Sequence, residues 1–273
     1  MIPIFENLDG VVAQNPTLFP RQPILYLPNN YAYCPSQTAH YQLVDTAYIN
    51  EVSLDTQGGK KCLSLYGASP NNNHQTLSYM LKAPVTSNAP VWQWAVSWWG
   101  YTGKGYYAAN ANMRWLSVYF ADPDEFDKPD FFTDVGNWWS TRKNINWYLG
   151  KTQTTDNFRL RNYCDSYTNG VHDSGMSTWQ NYTYFPSITE VAWHCFTVTC
   201  DGTTLNAYCD NASNSITDAF PTTWVENCKG LVRIALCQNN NSNNPNPMYF
   251  GTVRAFDYSL TQQQHLALYN AGF

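Results

Sequence analysis

Glycoside chemistry on a β-strand needs carboxylates side by side, one as nucleophile and one as acid/base, a few ångströms apart. This chain has five Glu: Glu6, Glu51, Glu125, Glu190 and Glu226. Of these, Glu125 has an acidic neighbour two residues away, in the loop-like run Asp122-Pro123-Asp124-Glu125-Phe126-Asp127. No E-x-D-x-E strand is present, so the sequence argues against a glycosidase and for a protein that is not an enzyme. Asp122, Asp124 and Asp127 are the candidate Ca²⁺ ligands, because Ca²⁺ takes clustered carboxylate and carbonyl oxygens. They lack EF-hand spacing, and a solvated acidic turn is the preferred reading of them. No other cofactor is expected.

The other reactive types are scattered. The five His (His40, His74, His172, His194, His265) accompany no HExxH, Walker loop or nucleophile elbow. His194 falls within a strand pattern, where packing explains it. The eight Cys form no CxxC and no Cys/His group with zinc spacing, which reads against a zinc site. Buried, reduced thiols in the core are expected instead.

Sugar binding is the site chemistry that the composition favours. Trp and Tyr faces stack on sugar C–H surfaces while Asn and Asp bond the hydroxyls. The chain has 11 Trp and 20 Tyr. Loop-like aromatics are Tyr101, Tyr106, Tyr107, Trp138, Trp139 and Trp179. The carbohydrate candidates are Trp138, Trp139, Tyr106, Tyr107 and Trp179. The Trp138-Trp139 pair leads, because adjacent strand residues face opposite ways. Core packing is the competing use of any such ring.

The elements that would position these groups are strands. The chain has 273 residues, 44% hydrophobic and 13% charged, the latter roughly half the usual share. Aromatics at 16% favour sheet. The net charge of -5 and the absence of a basic stripe exclude a nucleic-acid partner. No apolar run approaches the ~18 residues of a membrane span, so no membrane insertion is expected. The start, Met1 to Asp9, lacks the pattern of a secretion signal.

Residues 1–48 are Pro-rich and read as an extended N-terminal arm with a short strand at Ile24–Leu27. The arm either wraps the chain's own sandwich or reaches a neighbouring subunit. Residues 49–273 read as one β-sandwich. Trp92–Trp98 alternates as a half-buried strand does, and Arg114–Phe120, Ile145–Leu149 and Phe158–Tyr163 follow as strands. Trp193–Cys200 and Leu205–Asn211 flank Asp201-Gly202, a strong hairpin signal. Asn211 suits the left-handed residue of a second turn. Thr261 to Gln264 is a capping box opening a C-terminal helix, with Leu266 and Tyr269 expected to face the sandwich and Gly272 to close it. The Asn-rich run from Asn239 to Pro247 reads as a solvated loop.

Taken in order, Trp193-His194, Asp201-Gly202, Tyr208 to Asp210, Phe250-Gly251, Leu260-Thr261 and Leu268-Tyr269 to Gly272 resemble the laminin-G-like, concanavalin A-like superfamily. Gly59 to Gly67 looks like that family's early strand. Asn211 and His265 depart from its usual Gly and acid. The resemblance implies an all-β, two-sheet antiparallel jelly roll with a short C-terminal helix. It does not imply one function, since that superfamily holds lectins, adhesion modules, enzymes and virion proteins. The expected role is a non-enzymatic virion or particle surface component, with a lectin-like domain that binds host glycans and an arm that contacts other subunits. The alternatives are a secreted or cell-surface carbohydrate-binding module and, behind it, a glycoside hydrolase. Deleting residues 1–45 is expected to abolish particle incorporation and leave a folded sandwich.

Overall fold

The computed structural model describes residues 9–28, 41–43, 53–66, 77–81, 93–101, 113–121, 144–151, 158–163, 167–168, 171–172, 180–184, 192–201, 204–216, 230–239 and 247–273. In chain order these form α1 (Gly10–Gln14), β1 (Leu25–Leu27), β2 (Tyr41–Leu43), β3 (Ser53–Gln57), β4 (Lys60–Tyr66) and β5 (Leu77–Leu81). Then come β6 (Gln93–Tyr101), β7 (Met113–Ala121), β8 (Asn144–Lys151), β9 (Phe158–Tyr163), β10 (Tyr167–Thr168), β11 (Val171–His172) and β12 (Gln180–Tyr184). The chain closes with β13 (Trp193–Asp201), β14 (Leu205–Cys209), β15 (Ala212–Ile216), β16 (Gly230–Asn239), β17 (Pro247–Phe256) and α2 (Gln262–Asn270). No described helix is long and apolar enough to cross a membrane.

The strands make two antiparallel sheets, the all-β jelly-roll class expected. One sheet runs β15-β14-β13-β6-β17-β4-β3, with β1 also on β17. The other runs β11-β10-β8-β7-β16-β5-β2, with β9 on β8 and β12 on β9. Directly opposed residues of antiparallel strands share a face. In the first sheet, Trp94, Val96 and Trp98 therefore share a face with Phe196, Val198 and Cys200 of β13 and with Val253 and Ala255 of β17. Leu205, Ala207 and Cys209 of β14 extend it. All of these are buried. In the second sheet, Tyr79, Val118 and Ile234 are cross-strand neighbours, as are Leu116 and Leu236, and all are buried. These two apolar faces make the sandwich core.

Strand β6 departs from expectation, since it is buried from Trp94 to Gly100 on both faces. Its alternation reads as half-buried, but the outer face is covered too. Ala95, on that face, packs with Phe256, Tyr258, Leu260 and Leu268 and with Val12 and Phe19 of the N-terminal segment. Phe19 stacks on Phe256 at 6.4 Å.

The described part of the Pro-rich segment is thus built into the sandwich and contains a helix that composition does not suggest. Asp9 N-caps α1, accepting from Val11 N at 3.0 Å. Its carboxylate is also buried against Arg254 of β17, with both residues almost wholly out of solvent. Strand β1 pairs with β17, Leu25 opposite Ala255 and Leu27 opposite Val253. Removing residues 1–45 would take out two sheet strands, β1 and β2, and the partner of a buried cation, so such a deletion is now expected to disrupt the sandwich and not to leave it folded.

Helix α2 has its full capping box: Thr261 N donates to Gln264 Oε1 at 2.7 Å and Gln264 N to Thr261 Oγ1 at 3.3 Å. Gln264 Nε2 also donates to Leu18 O at 2.7 Å, tying α2 to the N-terminal segment. The buried face is Gln264, His265 and Leu268, one position away from the expected Leu266; Tyr269 is half-buried, stacked on Trp99 at 5.9 Å. Gly272 closes the helix at φ +80, with its N–H on Tyr269 O at 3.0 Å.

Candidate functional site

The preferred sugar-stacking residues Tyr106, Tyr107, Trp138, Trp139 and Trp179, and the Ca²⁺ candidates Asp122, Asp124 and Asp127, lie outside the described residues, as do the five Glu. Tyr101 is described, and it ends β6 instead of lying in a loop.

Tyr101 leads to a cluster of rings on the outer face of the first sheet, beyond the reach of α1. The register places Tyr101 opposite both Trp193 of β13 and Tyr249 of β17. Ring centroids are 5.3 Å apart for Tyr101–Trp193 and 6.2 Å for Tyr101–Tyr249. Phe273 meets Trp193 edge-on at 4.2 Å and Trp99 at 5.9 Å. Trp99 is buried, while Tyr101, Trp193, Tyr249, Tyr269 and Phe273 are half-buried.

Two backbone features make room for these rings. At Gly251 of β17, a Cβ would stand 2.4 Å from Phe273 Cε2 and 2.9 Å from Trp99 Cβ, so the ring lies where any side chain would be. Between β3 and β4, Gly58 and Gly59 take φ +54 and +76, which L side chains rarely adopt. The hairpin tip reaches the rings: Trp193 Nε1 donates to Gln57 O at 2.8 Å. This tip brings Lys60, whose ammonium lies 4.7 Å above the Phe273 ring and 5.7 Å from Trp99. By strand alternation Asp55 and Gln57 share that face, bonded Gln57 Nε2 to Asp55 Oδ2 at 3.1 Å. The result is a half-open aromatic floor with a cation, a carboxylate and an amide at its edge.

A second group lies at the β13–β14 end. His194 Nδ1 is 2.7 Å from Asp210 Oδ2, and Asp210 Oδ1 accepts from Cys195 N at 2.8 Å. Asp210, not Asn211, is the left-handed residue of the β14–β15 turn, at φ +50. The bonds to Cys195 and His194 hold it there, and Asp tolerates this conformation better than most residues. Cys209 is the neighbouring thiol. Cys, His and Asp are the types of a nucleophilic triad, but burial, and then the charge of Asp210, push the Cys209 thiol far up. An activated thiol needs the opposite shift. Burial likewise pushes Cys195 up to about 12 and Cys62 up to about 11, and Cys62, Cys195, Cys200 and Cys209 are all buried, the position expected of core thiols.

Solved structures of similar fold include botulinum neurotoxin binding domains. The botulinum neurotoxin serotype D binding domain superposes with a TM-score of 0.56 at 14% identity, over 91% of this chain and 50% of that one. The serotype G binding domain gives 0.53 at 11%, over 91% and 51%. The serotype D ligand-binding domain in complex with N-acetylneuraminic acid gives 0.54 at 11%, over 92% and 51%. The likeness is one of fold. The chain spans about half the length of these structures. No family model matches the sequence, and no curated protein does either. Neither Trp193 nor Lys60 was among the residues singled out from the sequence for sugar binding; the strand order β13-β6-β17-β4 brings them together.

Proposed function

We propose that the chain is a non-enzymatic glycan-binding module of the laminin-G-like, concanavalin A-like kind, displayed on the surface of a virion or other particle. The observation that carries the binding part is the half-open ring cluster of Tyr101, Trp193, Tyr249 and Phe273 beside Lys60, Asp55 and Gln57. Flat rings stack on the C–H face of a pyranose, and edge polar groups bond its hydroxyls. Support comes from fold-mates, one named a receptor-binding domain and another a ligand-binding domain in complex with N-acetylneuraminic acid. The non-enzymatic part rests on the lack of a paired-carboxylate strand in the sequence and on fold-mates named as binding domains. The particle part rests on the sequence reading alone.

Binding is tested on an array of immobilised glycans, with wild type against Tyr249→Ala and Lys60→Ala. Each variant is expected to weaken the best glycan roughly tenfold, equivalent to ~1.4 kcal/mol. Unaltered affinity in both variants moves the site elsewhere; absence of any bound glycan removes the binding function. Density-gradient fractionation of the native source tests display: sedimentation with large particles supports it, and a small soluble species refutes it in favour of a secreted module.

A further inference from the structure

We propose that His194, Cys209 and Asp210 form a binding site for a thiophilic divalent cation of the zinc class. A ring nitrogen, the thiol sulfur and a carboxylate oxygen of these residues lie within 4.8 Å of one another. Nitrogen, sulfur and oxygen donors from three side chains are a set that tetrahedral Zn²⁺ accepts, with a fourth position left for water. The spacing is wider than in a loaded site, where donors stand ~3–4 Å apart about bonds of ~2.0–2.3 Å.

Three features favour a cation over a hydrogen bond made for its own sake. The side chain of His194 is nine-tenths buried, and its Nε2 meets no hydrogen-bond partner among the described residues. Asp210 faces Nδ1 at 2.7 Å, so Nδ1 is the nitrogen that a cation shared with this carboxylate takes, and the unpartnered Nε2 puts no competing bond on the ring. Second, the donors stand on rigid elements. Cys209 ends β14, His194 is the second residue of its hairpin partner β13, and Asp210 N donates to Cys195 O at 2.9 Å. Third, Asp210 is kept in a left-handed conformation that carries its carboxylate toward His194. On binding, the cation sheds water, Cys209 releases its thiol proton to solvent, and His194 and Asp210 each give an electron pair to the metal. Zinc spacing in the sequence argues against such a site, because ligand runs such as CxxC are local; here the hairpin brings residues 194 and 209 together.

The test uses the full chain, stripped with chelator and titrated with Co²⁺, then Zn²⁺. One equivalent of Co²⁺ is expected to bind and give thiolate-to-cobalt charge-transfer absorption, which Zn²⁺ abolishes by displacement. Cys209→Ser is expected to lose that absorption, and His194→Gln to bind at least about tenfold more weakly. Should Cys209→Ser fail to fold, X-ray absorption of the zinc-loaded wild type decides: one sulfur in the first shell supports the site. A shell of nitrogen and oxygen alone, no thiolate absorption, or unchanged absorption in Cys209→Ser would overturn the proposal.

Discussion

Replacing Asp9 by Ala leaves the Arg254 guanidinium buried without its counter-charge. The side chains are 4% and 1% exposed for Arg254 and Asp9, so water cannot take over the lost contact unless the N-terminal segment peels away. Breaking a buried pair from one side costs about 3–5 kcal/mol. Asp9 also caps α1 through Val11 N, and losing a cap adds about 1 kcal/mol. The cation keeps one neighbour, the Tyr26 ring at 5.7 Å, which softens the loss without replacing the charge. The two contributions separate by choice of variant. Asp9→Asn keeps a good capping residue and removes the charge, so it should lie within about 1 kcal/mol of Asp9→Ala. The double variant Asp9→Ala with Arg254→Met should recover most of the stability, because a buried pair replaced by apolar groups is often neutral. Guanidinium denaturation followed by tryptophan fluorescence measures all four proteins, and for a chain of this size each kcal/mol is worth roughly 2–4 °C in a parallel thermal scan. If Asp9→Asn unfolds within ~1 kcal/mol of wild type, Arg254 reaches water without its partner, and the segment from residue 9 to 28 is a detachable cover and not part of the sandwich.

Gly251→Ala puts a methyl where the Phe273 ring stands and close to Trp99 Cβ; a loss of ~1–3 kcal/mol is expected in denaturation, smaller when Phe273→Ala is already present, and equal losses in both backgrounds would refute the contact. His265 supplies a pH dependence. Its Nε2 faces Asp210 O and its Nδ1 faces Thr197 Oγ1, both at 2.8 Å; the carbonyl can only accept, so Nε2 carries the proton and Nδ1 accepts from the hydroxyl. Burial lowers its pKa from 6.5, against the raising effect of the Asp210 carbonyl and charge. The unfolded chain therefore binds the proton first as pH falls. The stabilisation is complete above about 6.5 and is lost as pH drops below that value toward the folded pKa. Denaturation midpoints measured with chelator present should fall between pH 7.5 and 5.5, and His265→Gln should flatten that slope; an unchanged slope would place the titration elsewhere.

Local signals carried much of this architecture. The pairing of β13 with β14, the Thr261–Gln264 box and Gly272 are each readable within ten or so residues of chain, and each is found where its chemistry requires. Signals that fail are those whose meaning depends on a distant segment. Alternation in β6 reads as one buried face, because nothing local tells that α2 and Phe19 cover the other. The small outward residues Ala95 and Ser97 are the trace of that cover. Proline content hides α1, although Asp9 before Gly10-Val11-Val12 is a capping signal, and Arg254 within the apolar Phe250–Phe256 run marks a buried charge in need of a partner. The ring cluster draws on residues near positions 60, 101, 193, 249 and 273, which only the sheet order assembles.

Trp193 and His194 are consecutive on β13, so their side chains leave opposite faces of the sheet. Trp193 joins the rings of the outer face, while His194 shares the inner face with Phe196, 6.3 Å between ring centroids. The proposed sugar floor and the proposed cation site therefore share a strand and no side chain. Cys209→Ser should alter cation binding and leave glycan affinity alone, since Cys209 touches none of the rings at Lys60. Tyr249→Ala should do the reverse. If instead both readouts fall together in either variant, the cause is unfolding of the β13–β14 hairpin, and neither site is then being measured. The two proposals stand or fall separately because one strand presents its successive residues to opposite faces of the sheet.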